Sequence, residues 1–282
     1  MLSKLRTSGR HGARRLSDDP LLRGDVRLEP VSGGTLGVCF FAYGEHGRRF
    51  LKTHGSMPWA RDCLAKEISI LDHLYGSSLA IERIEKEDGR LLMLMDELKP
   101  AVETSVEQIL DLTELYTRSL VDFPDTHLVP VVDNFASLLS EGQQALALLS
   151  ERRLLSSGLQ KQLADHLDAL LRLAPHLTPC ICHGDLGPKN IMTDGKTLFA
   201  IDWEDAFWGF LGYDYLYWLT FFDNRRHHSP AMLGRTIWGK EAEISIIMLI
   251  VLLKCGLALR NNSHQGNVLT FEQRLGEIAA LA

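Results

Sequence analysis

The sequence changes character near residue 98, and that change decides most of what the chain can fold into. Before it, β-forming runs alternate with turn signals. Residues 25–31 alternate apolar and polar side chains, Ser32-Gly33-Gly34-Thr35 breaks the pattern, and Val38 to Tyr43 (VCFFAY) is rich in β formers. Gly44-Glu45-His46-Gly47 is a turn, and Arg48 to Thr53 resumes an extended pattern, so two or three antiparallel strands are expected. Trp59 to Tyr75 then puts Leu64, Ile68, Leu71 and Leu74 on one side of a helix. Leu79–Ile84 and Arg90–Met95 flank the turn Glu87-Asp88-Gly89 as another hairpin. After Pro100 helical spacing takes over, across 105–123, 133–149 and 154–173, until Pro175 and Pro179 stop it. Cys180 to Asn190 reads as a loop, and short strands at 191–193 and 197–201 flank a turn at Asp194-Gly195 before a mostly helical tail. The expectation is an α+β protein: an N-terminal extension over 1–27, a small antiparallel-sheet lobe with one main helix over 28–98, and a larger, mostly helical lobe over 99–282.

Composition supports a globular reading. The chain has 282 residues, of which 45% are hydrophobic and 23% charged, enough to bury a sizeable core without cross-links. Its formal net charge of -6 lacks the strongly basic balance that nucleic acid calls for, so no nucleic-acid partner is expected. The run Ile244 to Leu253 (ISIIMLIVLL) is the membrane suspect, but ten residues cover only about half of a bilayer's hydrocarbon core. A buried helix and no membrane partner are expected there. Residues 1–17 are basic, with Lys4, Arg6, Arg10, Arg14 and Arg15, and they lack the apolar core of a secretion signal. An N-terminal extension is the preferred reading, with a transit peptide as the lesser one. Cys39, Cys63, Cys180, Cys182 and Cys255 are odd in number and fit no zinc spacing. They read as small core residues in a cytoplasmic protein.

The chemistry concentrates between His183 and Glu204. His183-Gly184-Asp185-Leu186-Gly187-Pro188-Lys189-Asn190 contains H-x-D-x-x-x-x-N, and Asp202 follows twelve residues after Asn190 in Ile201-Asp202-Trp203-Glu204. Phosphoryl transfer from ATP needs an acceptor hydroxyl held in line and a metal to neutralise the charge on phosphate. Asp185 suits the first task. Asn190 and Asp202 offer the hard oxygen ligands that Mg2+ prefers. The opposing reading is a decorated turn, because Asp, Gly, Pro and Asn all favour turns. The hairpin and second aspartate at this distance favour catalysis.

The stretch HGDLGPKNIMTDGKTLFAIDWED resembles the signature of the aminoglycoside phosphotransferase and choline kinase superfamily. The resemblance implies a protein-kinase-like fold, Asp185 as the catalytic aspartate, and Asn190 and Asp202 as magnesium ligands. Tyr213-Asp214 resembles a downstream pair whose aspartate braces the catalytic loop, which implies structural support from Asp214, with His183 as loop scaffold. Residues 28–98 supply matching parts in the right order: Gly33, Gly34 and Thr35 for a nucleotide-covering turn, Lys52 on the third strand for the phosphates, and Glu67, fifteen residues later, to hold that lysine. Each alone is ordinary; a strand lysine is usually a solvated surface group. Met95, Glu97 and Leu98 fall where an adenine-binding hinge is expected.

Gly187 stands where protein kinases of the Ser/Thr type usually carry lysine, and no protein-kinase activation segment follows Asp202. Both favour a small-molecule hydroxyl substrate. Trp203, Glu204 and Asp205 open an aromatic and acidic run that could hold a cationic group or a sugar. Packing is the alternative, and it is preferred for Tyr215, Trp218 and Phe221. The leading expectation is therefore an ATP- and Mg2+-dependent small-molecule kinase, acting on an aminoglycoside, a sugar or a choline- or thiamine-like alcohol. An atypical protein kinase or effector, and a non-catalytic nucleotide-binding scaffold, are the alternatives.

Overall fold

The early β-forming runs make one five-stranded antiparallel sheet from β1 (Arg27–Val31), β2 (Gly37–Gly44), β3 (Gly47–His54), β4 (Ile81–Glu85) and β5 (Leu91–Asp96), in the order β1-β2-β3-β5-β4. The computed structural model describes residues 27–31, 37–44, 47–124, 134–221, 224, 227 and 230–281. The N-terminal extension and the candidate covering turn at Gly33, Gly34 and Thr35 lie outside the described residues. Gly44 pairs with Gly47 at the close of the β2–β3 hairpin. Helix α1 (Ala60–Tyr75) packs on β3, β4 and β5 through its buried face, which includes Leu64, Ile68 and Leu71.

Residues 27–101 and Met192–Glu204 form one compact unit; Val102–Ile191 and 205–281 form a second. The segment from Met192 thus belongs with the sheet, although the chain has already run through some ninety residues of the other unit. It contains part of β8 (Ile191–Thr193), all of β9 (Leu198–Ala200), and the pairing of Met192 and Thr193 with the short strand β6 (Lys99–Pro100). Tyr75, at the end of α1, holds it twice. Its ring meets Phe199 edge-on at 5.1 Å, and its hydroxyl accepts the backbone N–H of Ala200 at 3.2 Å.

The second unit is mostly helical: α2 (Val106–Ser119), α3 (Phe135–Glu151), α4 (Ser157–Leu173), α5 (Tyr213–Leu219), α6 (Lys240–Arg260) and α7 (Phe271–Ala279). The sequence punctuates them well. Ser105 with Gln108, and Thr270 with Gln273, form reciprocal capping boxes at the starts of α2 and α7, and Asn134 and Ser156 cap α3 and α4. Ser156 also hydrogen-bonds Glu272, tying the start of α4 to α7. The suspect apolar run lies inside α6. This is the one helix among the described residues long and apolar enough to cross a membrane. Residues Glu243–Leu253 are buried on every side, against α3, α4, α5 and α7, so it serves as the core helix of the unit.

Two readings change. Cys180 to Cys182 is strand, not loop: β7 (Pro179–Cys182) pairs antiparallel with β10 (Phe207–Phe210). The two cysteines, two apart, share a face with their sulfurs 3.8 Å apart. The aromatic residues Phe207, Trp208 and Phe210 are therefore strand residues, and Phe207 and Phe210 are buried.

Candidate active site

In the first unit, three carboxylates converge on one buried ammonium. Lys52 projects from β3 and Glu67 from α1, and the helix packed on the sheet brings them to 2.6 Å. Lys52 also donates to Oδ1 of Asp202 at 2.5 Å, and Glu204 Oε2 lies 3.6 Å away. Burial opposes the charge of Lys52, but Glu67, Asp202 and Glu204 together outweigh it and hold its pKa well above the ordinary lysine value. Gly37 on the neighbouring strand makes room for this lysine: a Cβ there would sit 2.7 Å from Lys52 Cε. Cys39 faces Lys52 across the β2–β3 pairing. Burial pushes its thiol up to about 11, with Lys52 pulling the other way and the carboxylates adding to the rise.

Asp202 holds a left-handed backbone, φ 68°, which a non-glycine residue rarely adopts. It follows β9, and the tight 3-10 turn Trp203–Asp205 comes directly after. Oxygens of Glu67, Asp202 and Glu204 lie within 4.8 Å of one another. Three carboxylates exceed the charge of one ammonium, and hard oxygen donors suit magnesium. The donor set therefore fits a divalent cation in the company of nucleotide phosphates.

In the second unit, the loop after β7 is held from several sides. His183 is fully buried. The buried carboxylate of Asp214, in the first turn of α5, accepts the backbone N–H groups of His183 and Gly184 and the hydroxyl of Tyr116. Burial raises the pKa of Asp214, while His183, Tyr116 and the backbone donors favour its charge. The ring nitrogen Nδ1 of His183 accepts the backbone N–H of Asp185 at 3.3 Å. Asn190, in the 3-10 turn Pro188–Asn190, donates its side-chain N–H to the backbone oxygen of Asp185 at 2.8 Å. That leaves the amide oxygen, an acceptor, available to a ligand. Gly184 is required: its φ is 84°, and a Cβ would lie 2.3 Å from the backbone oxygen of Asp205.

Of the remaining candidates, Met95 and Leu98 are buried. The carboxylate of Glu97 is engaged by Arg48, whose Nε donates at 2.6 Å, while its guanidinium lies 4.4 Å from the Phe41 ring centroid. Trp203 is fully buried and donates its indole N–H to the backbone oxygen of Ala200, so its ring has no surface to offer an acceptor. Glu204 turns toward Lys52, on the side of Glu67 and Asp202. Asp205 belongs to the second unit.

Two side chains escaped the motif reading. Tyr217 donates its hydroxyl to Oδ1 of Asp185 at 2.8 Å, and Lys254 lies over the rings of Tyr217 and Phe221. In the sequence Tyr217 is one of many aromatics after Asp202, and Lys254 is the charge that ends an apolar run.

The model of the phosphotransferase enzyme family matches residues 27–239. The chain belongs to the phosphotransferase enzyme family. Among solved structures it is similar to a choline/ethanolamine kinase family protein from Mesorhizobium loti, at 19% identity over 94% of this chain and 90% of that one, with a TM-score of 0.59. It is also similar to a thermostable mutant of the aminoglycoside phosphotransferase APH(4)-Ia in ternary complex with AMP-PNP and hygromycin B, at 14% identity over 92% and 94% of the two chains and a TM-score of 0.60. A third similar structure is spectinomycin phosphotransferase in complex with ADP and spectinomycin, at 11% identity over 91% and 89% and a TM-score of 0.54. No curated protein sequence matches. At these identities the likeness shows the fold, which is protein-kinase-like, as the sequence leads one to expect.

Proposed function

We propose that the protein is a small-molecule kinase that moves the γ-phosphate of ATP to a hydroxyl group in a magnesium-dependent reaction. The observation that carries this reading is the double engagement of Lys52. A buried strand lysine bonded to Glu67, fifteen residues on, and to Asp202, 150 residues on, has little purpose in a fold except to grip polyphosphate beside a metal. Family membership supports the reaction class. The nucleotide and antibiotic complexes of the structural neighbours support ATP as donor and a small molecule as acceptor.

In this reading, residues 28–98 bind the nucleotide and residues 99–282 carry the hydroxyl-orienting loop and the acceptor. Lys52 holds the phosphates and Glu67 holds Lys52. Asp202, Asn190 and Glu204 offer oxygens for magnesium, which when bound would neutralise developing charge on the transferred phosphoryl group. Asp185 orients the acceptor hydroxyl and takes its proton. Asp214 and His183 fix the loop that carries it. Met95, Glu97 and Leu98 line the adenine end, and Gly33, Gly34 and Thr35 cover the phosphates. Glu204 serves the metal better than the acceptor, which leaves Asp205 as the first acidic candidate for acceptor contact.

The test is coupled ADP release with magnesium across aminoglycosides, amino alcohols, thiamine and sugars. Acceptor-dependent release abolished by Asp185→Asn is expected. Full turnover in that variant would remove Asp185 from the mechanism, and labelling of proteins alone in a lysate would favour the protein-kinase alternative.

A further inference from the structure

Lys254 is an unusual residue to find on the core helix α6, where it is half-buried. It sits one position after the run Ile244 to Leu253, so its ammonium lies at the margin of an apolar interior. It meets aromatic faces. Nζ lies 3.9 Å from the ring centroid of Tyr217 and 3.7 Å from that of Phe221, and it donates to Oγ1 of Thr220 at 2.7 Å. Both distances fall well within the range of a cation–π contact, which strengthens when water is excluded.

Both aromatic residues also touch the loop that carries Asp185. Tyr217 donates its hydroxyl to Asp185 Oδ1. Phe221 presses on Gly187, where an added Cβ would come within 2.7 Å of the ring. The two rings pack on each other at 5.7 Å. One ammonium therefore grips two rings, and those rings hold the loop at residues 185 and 187. We propose that Lys254 is a positioning residue for Asp185, clamping Tyr217 and Phe221 so that the carboxylate is aimed for hydroxyl activation. The proposal rests on the assignment of Asp185 above and adds the brace behind it. Hydrophobic packing alone would be served better by Leu or Met at this position, without the cost of burying a charge. An ammonium polarises the Tyr217 ring, whose phenol donates to the carboxylate, which an apolar side chain cannot do. Asp185 favours the charge on Lys254, and Arg274 from α7 opposes it.

Two measurements on the full chain test this. The first is magnesium-dependent ATP hydrolysis, with water as acceptor, in wild type, Lys254→Met and Lys254→Arg. Lys254→Met should lower kcat about tenfold with KM for ATP unchanged, since misaiming a reacting group costs rate, and Lys254→Arg should recover part of the loss. An unchanged kcat in Lys254→Met overturns the proposal. The second needs no turnover. Lysine labelled at the ε-carbon reports the Lys254 titration by NMR, assigned through its absence in Lys254→Met. The midpoint should fall in Asp185→Asn, which removes the favouring charge, and an unmoved midpoint overturns the coupling. If Asp185→Asn keeps wild-type hydrolysis, the assignment of Asp185 fails, and the titration still decides whether Lys254 and Asp185 are coupled.

Discussion

The carboxylate of Asp214 accepts the backbone N–H of His183 at 2.7 Å with one oxygen and that of Gly184 at 3.1 Å with the other. An asparagine in its place has one acceptor and one donor, so one backbone N–H would face another donor inside the protein. Asp214→Asn should cost about 1–3 kcal/mol of stability, measured by urea unfolding. It should lower kcat while leaving KM for ATP nearly unchanged, because the groups proposed to hold the nucleotide belong to the other unit. A variant as stable and active as wild type would show that the brace is dispensable.

Asp202 is shared between Lys52 and the candidate metal cluster. Magnesium and ATP at about a hundred times Kd should stabilise wild type by about 2.7 kcal/mol, a thermal shift of several degrees. Asp202→Ala should lose most of that shift, and Lys52→Met should lower turnover by about a hundredfold or more. EDTA should abolish the ATP shift in wild type. A shift that survives EDTA would show that ATP binds without the metal, and one that EDTA abolishes but Asp202→Ala leaves intact would place the metal elsewhere.

Gly184 and Gly195 both have positive φ, 84° and 98°, but only Gly184 is crowded. Gly195→Ala should cost only the conformational penalty, about 1–2 kcal/mol. Gly184→Ala adds a collision with backbone and should cost on the order of 3 kcal/mol or more, with loss of activity. Equal losses in the two variants would mean the loop yields easily to the added methyl group.

Burial, and Arg274 against the pull of Asp185, bring Lys254 from 10.5 down to about 7. Between those values the unfolded chain binds the extra proton, so this group makes the fold least stable at low pH and its penalty fades as pH rises. Lys254→Met should therefore be more stable than wild type at pH 7, by a margin that shrinks toward pH 10 by up to about 1.4 kcal/mol per pH unit. Urea unfolding of both proteins at pH 7.0 and 9.5 checks this, and a margin independent of pH would contradict it.

The sheet, the helices and the family were legible because each leaves a local mark. Val38 to Tyr43 announces a strand, Ser105 with Gln108 a helix start, and the segment from His183 to Asp202 a spaced chemical motif. The proximity of Lys52 and Glu67 was legible because a strand and the next helix pack together. Contacts between distant parts of the chain were less visible. Trp203, beside an acid, reads equally well as a binding surface or as core, and only its burial decides. Strands β7 and β10 are too short to show a period, so Cys180 to Cys182 reads as loop and Phe207 to Phe210 falls within what reads as a mostly helical tail. Tyr217 and Lys254 lie 32 and 69 residues beyond Asp185, with no motif to join them.

Helix α6 has a consequence for how the protein must be made. Its cover comes from α3, α4 and α5, which precede it in the chain, and from α7, which follows. During synthesis the most apolar segment therefore leaves the ribosome before the last of its cover exists. For that interval it is a sticky, membrane-like helix in water, a natural client for a chaperone. A chain cut short before Phe271 should be degraded or aggregate, even though every residue of the candidate active site would already be present.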